Sequence, residues 1–217
     1  MTSSGDRKAM SDLKIGDEIL AVNSDGELTF SPILLFLDRD PQERRAFVTL
    51  VTEDGRSIEV TPYHLVFARR QSEFDDYDDD ESSNSVEVTE SDLAPTYAGD
   101  LEAGDVIYTL DLSAGGKRSL RASRVVETRL RVRDGVFAPL TVEGNLVVDG
   151  VLASCYAQIH SQTLAHWAFL PVRMLESIKQ IFSSSHLSQG ADSSTGIHWY
   201  AKSLYSLAPY VIPSQLP

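Results

Sequence analysis

The residues whose types and spacing are best suited to chemistry lie at Thr61-Pro62-Tyr63-His64, directly after a β-type run. Pro62 favours an extended backbone at Thr61, and such a turn can bring a hydroxyl and an imidazole into one small volume. An imidazole transfers protons near neutral pH, which makes His64 a candidate general acid or base. The competing interpretation is a hydrogen-bonded structural histidine, and the motif alone favours that one.

Asp38 is a second candidate because it follows five apolar residues, 33–37, at the predicted end of a buried strand. Its carboxylate either forms an ion pair with Arg39 or another neighbour, or serves as a general base in a partly apolar cleft. Composition favours the ion pair and leaves the general base open.

Cys155 is the only cysteine in the 217 residues. One cysteine cannot form an intrachain disulfide, and it cannot build a cysteine-clustered zinc site or an iron–sulfur cluster. Two interpretations stay open for the thiol: an inert side chain that packs as a small apolar group, or a redox or nucleophilic group. We therefore expect no metal and no cofactor.

The formal net charge is −13, but the acidic residues are concentrated in one segment. Ten acids and no bases occur in residues 73–92, so the remainder of the chain carries a net charge of only −3. We interpret residues 71–96 as a solvated, self-repelling loop. The alternatives are a calcium site, whose EF-hand spacing these acids lack, and a tail that binds a partner. An acidic surface also argues against binding to nucleic acid.

No apolar run is long enough for a membrane span or a signal peptide.

The first 70 residues alternate short β-type runs with turn signals, which is typical of an all-β protein. We predict strands at residues 18–22, 33–37, 46–52 and 57–60, with a hairpin turn at 53–55.

One motif occurs twice, and the repetition indicates a duplicated β unit. D-L-x-x-G-D begins at Asp12 and again at Asp100, an offset of 88 residues. The run I-E-V-T at 58–61 meets L-V-V-D at 146–149 with the same offset. Coincidence among common turn residues is the alternative, but two matches at one offset favour duplication with pseudo-two-fold packing.

After about residue 160 the hydrophobic period becomes helical. Apolar residues from 164 to 181 fit one helix, which Pro171 should kink or divide. A polar linker at 183–195 precedes a short aromatic segment at 196–208. That segment is either a helix packed on the β unit or an interfacial helix on a membrane surface.

Taken in order, eight motifs resemble one family. This sequence resembles the C-terminal autoprocessing domain of hedgehog proteins, a Hint (hedgehog–intein) domain followed by a sterol-recognition region. The resemblance runs from about residue 5 to 213, and its motifs are D-L-x-x-G-D-x-I-L-A, F-L-D-R-D, T-P-Y-H-L, a second D-L-x-x-G-D, F-A-P-L-T-V-E-G, S-C-Y-A, A-H-W-A and G-I-H-W-Y. It implies a mainly β Hint fold over residues 1–163 and a helical sterol-recognition region over 164–217.

The resemblance also implies a two-step reaction. An N-terminal cysteine attacks the preceding carbonyl to form a thioester, and the 3β-hydroxyl of cholesterol then attacks that thioester. By the same resemblance His64 protonates the departing amide nitrogen, Thr61 polarises or distorts the scissile peptide, and Asp38 is the general base for the sterol. Cys155 matches the family's second cysteine, which either exchanges with the nucleophile during folding or packs.

The sequence departs from the family at its beginning. The family's domain starts with Cys-Phe ahead of a G-x-R-K-x-M region, which residues 5–10 match, yet no cysteine precedes Cys155. We therefore expect the chain by itself to be inactive. Its partners are expected to be a sterol and an upstream signalling domain, in the secretory pathway. The alternatives are a non-catalytic membrane- or lipid-binding module acting through 164–217, and a Hint protein that uses a nucleophile other than sterol.

Overall fold

The computed structural model describes residues 1–71, 94–112 and 118–157, and these ranges are mainly β-strand with almost no helix. The acidic segment 73–92 and the helices predicted after residue 164 lie outside the described residues. Within the described ranges, no helix is long and apolar enough to cross a bilayer. The strands described are β1 (Glu18–Val22), β2 (Leu28–Thr52), β3 (Ser57–Val60), β4 (His64–Arg69), β5 (Pro95–Tyr97), β6 (Val106–Leu112), β7 (Arg118–Thr141), β8 (Asn145–Val148) and β9 (Val151–Ala157).

The predicted duplication is confirmed. A 3-10 turn at Met10–Asp12 recurs at Ala98–Asp100, and β3 recurs as β8 with the same offset of 88 residues. The two D-L-x-x-G-D copies form the same loop, in which the backbone N–H of Lys14 or Glu102 donates to the carboxylate three residues later, at 2.8 and 2.9 Å. A glycine precedes that carboxylate in both copies, at φ +87° and +107°, a conformation that side chains with a Cβ rarely adopt.

Two long strands form the centre of the fold. β2 pairs with β7 in antiparallel register from Ile33 opposite Thr141 to Thr52 opposite Val125. The prediction of separate strands at 33–37 and 46–52 was wrong, because both segments belong to β2. No turn divides them; register shifts in the β2–β7 ladder bend the strand instead, and one of these lets it accommodate Pro41. One continuous strand can therefore pair with β1 at its start and with β3 at its end.

The core consists of clusters of buried apolar side chains, each of which combines residues from both halves of the chain. Burial of apolar surface from alternating strand positions drives this packing. The cluster nearest the candidate residues contains Ile33, Leu35, Phe36, Leu65, Leu140, Leu146, Cys155 and Tyr156.

The half-buried carboxylate of Asp54 fastens the tip of the β2–β3 hairpin to β6 and β7. The Asp54 side chain accepts hydrogen bonds from Thr52 and from the buried hydroxyls of Thr109, at 2.9 Å, and Ser123, at 3.1 Å. Arg56 Nε lies 3.4 Å from the same carboxylate. Burial raises the pKa of Asp54, but these hydroxyl donors outweigh burial, and its pKa lies below the ordinary value of 3.8. The hairpin is thus held by an ionised, fully partnered group.

We expect Asp54→Ala to lower the free energy of unfolding by about 3 kcal/mol at pH 7, because it removes a charged acceptor from buried hydroxyls. A carboxylate with a lowered folded-state pKa stabilises the fold above its unfolded-state pKa, and that contribution disappears as the pH falls through the folded-state pKa. Urea denaturation at pH 7 and in acid measures both effects. Asp25→Ala, in an exposed turn, is the matched control and should change stability by less than about 0.5 kcal/mol. Equal effects of the two substitutions would contradict the assignment.

Candidate functional site

The T-P-Y-H motif forms the tight connection from β3 to β4. The His64 backbone N–H donates to the Thr61 carbonyl oxygen at 2.9 Å, so the hydroxyl and the imidazole belong to one turn. The second repeat clamps this turn, since Gly99 N donates to the Pro62 carbonyl oxygen at 2.8 Å. A Cβ on Gly99 would lie 3.0 Å from the Pro62 Cβ, tighter than most such contacts, so glycine suits this close approach best. The second half of the molecule therefore fixes the candidate turn of the first half.

The imidazole of His64 is fixed by one hydrogen bond. Its Nε2 lies 2.8 Å from the carbonyl oxygen of Ser154, on β9. A carbonyl oxygen only accepts, so Nε2 carries a proton, and the neutral ring keeps a lone pair on Nδ1. Burial lowers the pKa of His64 below the usual histidine value, and the bond to Ser154 offsets this only in part. At neutral pH the ring is thus an oriented base with one nitrogen available.

Cys155 follows the residue that holds His64, but its side chain lies in the core. The thiol is 2 % exposed and belongs to the apolar cluster beneath β4 and β9. Its Sγ lies 3.6 Å from the Thr141 hydroxyl, which itself donates to the Asn145 carbonyl oxygen at 2.8 Å. The thiol is therefore the donor toward Thr141. This environment matches the packing interpretation of Cys155 and offers an incoming substrate no open approach.

Asp38 is only 8 % exposed and lies in the middle of β2, not at a strand end as predicted. The expected partner, Arg39, instead donates to the carbonyl oxygens of Ser11 and Leu13. The ion pair of Asp38 is with Arg45, whose Nη1 lies 3.1 Å from Oδ2.

The two carboxylate oxygens of Asp38 differ in their surroundings. Oδ1 is buried with no hydrogen-bond partner among the described residues, whereas Oδ2 faces Arg45. Burial raises the pKa of Asp38 above 3.8, although Arg45 pulls it down. Buried carboxylates with a raised pKa and an unpaired oxygen are typical of functional positions.

The structure brings some of the candidate residues together and leaves one apart. Thr61 and His64 share a turn, and His64 contacts the residue that precedes Cys155. Among the described residues, no hydrogen bond or ion pair joins Asp38 to these three.

Sequence reasoning missed Ser154, because a backbone carbonyl gives no signal in a motif. It also did not identify Arg45 as the partner of Asp38, since residues 39–45 (R-D-P-Q-E-R-R) contain three arginines and the sequence does not show which of them faces Asp38.

The beginning of the chain lies near this region. Leu20 N donates to the Met1 carbonyl oxygen at 3.0 Å, so the first residues run alongside β1. The side chain of Asn145 binds both the backbone N–H and the carbonyl oxygen of Val22 at 2.8 Å, two residues farther along β1. Asn145 in turn pairs with Ser154 in the β8–β9 ladder. The Val22 end of β1 is therefore connected to the strand that holds His64.

The described residues contain no group of three or more His, Cys, Asp or Glu side chains that could hold a metal ion. Solved structures with the same architecture include inteins. A variant of the Ssp DnaB mini-intein superposes with a TM-score of 0.51 at 17% identity, over 70% of this chain and 85% of that chain. A DnaB intein from Synechocystis sp. gives a TM-score of 0.50 at 16% identity, over 70% and 89% of the two chains. At such identities the likeness shows the fold alone, and that fold is of the intein type.

Sequence comparison gives the family. The Hint module family matches residues 1–213, and the chain belongs to that family. Its curated relatives include "Protein hedgehog" of Drosophila sechellia and of Drosophila melanogaster, each 37% identical over 98% of this chain. The chain spans less than half the length of these relatives, 43% and 42% respectively. The expected Hint fold and the resemblance to hedgehog proteins are thus both confirmed.

We expect His64 to titrate below the usual histidine range and to exist at neutral pH as the Nε2–H tautomer. Burial disfavours the imidazolium, and the Ser154 carbonyl requires the proton on Nε2. Two-dimensional ¹H–¹⁵N NMR of the ring nitrogens through a pH titration measures both properties. A pKa equal to that of a solvent-exposed histidine, or an Nδ1–H tautomer at pH 7, would contradict the site geometry.

Proposed function

We propose that this chain is the catalytic part of a hedgehog-type self-processing domain. In this proposal a peptide bond ahead of the chain is cleaved through a thioester, and the upstream fragment is transferred to cholesterol. The proposal is supported by membership of the Hint family and by likeness to hedgehog proteins along 98% of the chain. The observation that carries it is the neutral, oriented imidazole of His64, bound to Ser154 with Nδ1 available.

The first proposed step is an N-to-S acyl shift. A cysteine thiol attacks the carbonyl carbon of the preceding residue, a C–S bond forms, and the C–N bond of the peptide breaks. His64 Nδ1 accepts the thiol proton and delivers it to the departing amide nitrogen, which leaves as an amine. Thr61, in the same turn, polarises or distorts the scissile peptide. The product is a thioester, a better electrophile than the amide it replaces.

The second proposed step is a transesterification. The sterol hydroxyl gives its proton to Asp38 Oδ1, its oxygen bonds to the acyl carbon, and the C–S bond breaks. The leaving thiolate recovers a proton, and the upstream fragment leaves as a sterol ester. An alcohol is a weak nucleophile at neutral pH, so this step needs a base that is close and ionised. The unpaired Oδ1 of Asp38 and the raised pKa of this carboxyl support its assignment as that base.

We infer that the nucleophile is a cysteine joined ahead of Met1, because the only cysteine in the chain lies in the core. A backbone that enters at Met1 comes from the Val22 end of β1, which Asn145 connects to the strand of Ser154. The aromatic and apolar residues of 164–217 supply the sterol-facing surface in this proposal. An upstream signalling domain is the acyl donor, and the secretory pathway is the compartment.

The test is a fusion of a reporter protein, a short segment beginning Cys-Phe, and this chain from Met1 onward. We expect dithiothreitol to release the reporter by attack on the thioester, and cholesterol to release it as a sterol ester, detected by mass spectrometry. Serine in place of the added cysteine should abolish both reactions, whereas Cys155→Ala should preserve both. A wild-type fusion that responds to neither thiol nor sterol would refute the proposed function.

Two variants of this fusion separate the proposed roles. His64→Ala should slow thiol-driven release about 100-fold or more, because it removes the proton relay of the first step. Asp38→Ala should leave thiol-driven release intact and abolish sterol transfer. If Asp38→Ala reduces both reactions equally, Asp38 is not the base of the second step.

A further inference from the structure

We propose that Arg45 is a positioning residue for the second step, which holds one oxygen of Asp38 and keeps that buried carboxylate ionised. The proposal rests on the proposed function, because it assigns the general base to Asp38. Its structural basis is separate from that function: the geometry of Asp38, Glu43 and Arg45 on one irregular segment of β2.

A local irregularity brings Arg45 back to Asp38. The carboxylate of Asp40 accepts hydrogen bonds from the backbone N–H groups of Gln42, at 2.9 Å, and Glu43, at 3.2 Å. These bonds accompany a bulge within β2 at residues 41–43, where the β2–β7 register shifts between Asp40 and Arg44. Bulges of this kind redirect side chains and are common beside active sites. Beyond this bulge, the side chain of Arg45 therefore faces Asp38, which lies seven positions earlier in the same strand.

The guanidinium of Arg45 bridges two carboxylates through different nitrogens. Its Nε lies 2.6 Å from Glu43 Oε1, and its Nη1 lies 3.1 Å from Asp38 Oδ2. This use of the guanidinium fork fixes the orientation of the Asp38 carboxylate, which a flexible ammonium would hold less well. Oδ2 is then occupied, and Oδ1 stays buried with no partner among the described residues.

The ionised form of Asp38 is favoured chiefly by Arg45, with a smaller contribution from the backbone N–H of Arg39. The charged side chains that act on Asp38 are Arg45, which favours the ionised form, and Glu43, which opposes it. The residue opposite on β7 is Ala138, which carries no charge. An ionised carboxylate that is 8 % exposed is costly without a cation, so loss of Arg45 should favour the protonated, inactive acid.

The experiment measures the pH dependence of both reactions in the reporter fusion. In Arg45→Gln, sterol transfer should require higher pH, with a loss of about tenfold on the acid side of its profile, because an adjacent cation is removed. Thiol-driven release should be unchanged. Arg45→Lys should restore part of the loss, and Glu43→Gln should move the profile toward lower pH. Arg44→Gln is the matched control, since Arg44 is an exposed neighbouring arginine and should change nothing.

The outcomes separate the two proposals. An unchanged pH profile of sterol transfer in Arg45→Gln, or an equal fall in both reactions, overturns the role of Arg45. Carboxyl ¹³C NMR of Asp38 gives a readout that does not need catalysis: its titration should move to higher pH in Arg45→Gln and stay in place in Arg44→Gln. No movement overturns the role of Arg45 even if the wild-type fusion is inert, whereas an inert fusion with the expected movement overturns only the proposed function.

Discussion

The antiparallel pairing of β2 with β7 is the constraint on which the other features depend. These strands run together from Ile33 opposite Thr141 to Thr52 opposite Val125, so each half of the duplicated chain contributes one of them. One end of the ladder places Thr141 against the thiol of Cys155. At the other end, the β2–β3 hairpin reaches far enough for Asp54 to meet hydroxyls on β6 and β7. A slip of register would disturb both ends at once, since each successive side chain would face the opposite side.

Two aspartates, the half-buried Asp54 and the buried Asp38, show how the same side chain serves stability or chemistry. Asp54 has donors from three hydroxyls, which hold its pKa below the ordinary value and make it a structural anchor. Asp38 has one ion pair and one unpaired oxygen, and burial holds its pKa above the ordinary value. A satisfied carboxylate cannot easily accept another proton, whereas the unsatisfied one can. The difference lies in the neighbouring donors, which are three hydroxyls for Asp54 and the Arg45 guanidinium for Asp38.

The duplication also explains why the candidate chemistry is in one half only. At the offset of 88 residues, the T-P-Y-H turn corresponds to residues 149–152, where Asp149 and Gly150 both have positive φ and close the β8–β9 hairpin. In the first half the corresponding connection makes two contacts with the second half. Gly99 donates a hydrogen bond to the carbonyl oxygen of its proline, and its histidine binds the carbonyl oxygen of Ser154. One copy retained a structural turn, and the other presents a hydroxyl and an imidazole. The contacts that fix the T-P-Y-H turn, from Gly99 and Ser154, are supplied by the second half.

The sequence by itself determined the local structure and the family. Turn glycines, alternating apolar residues and the repeated D-L-x-x-G-D motif depend on neighbours a few residues away, so β1, the hairpin turn at 53–55 and the duplication could be predicted. The order of the motifs identified the Hint family for the same reason, since each motif is local. Only the tertiary structure decided which groups meet. Long-range pairing joined two predicted strands into β2, gave His64 its Ser154 carbonyl, enclosed the thiol of Cys155, and turned Asp38 toward Arg45 instead of Arg39. These contacts depend on register and on a bulge in the backbone, and neither is encoded by the spacing of residue types along the chain.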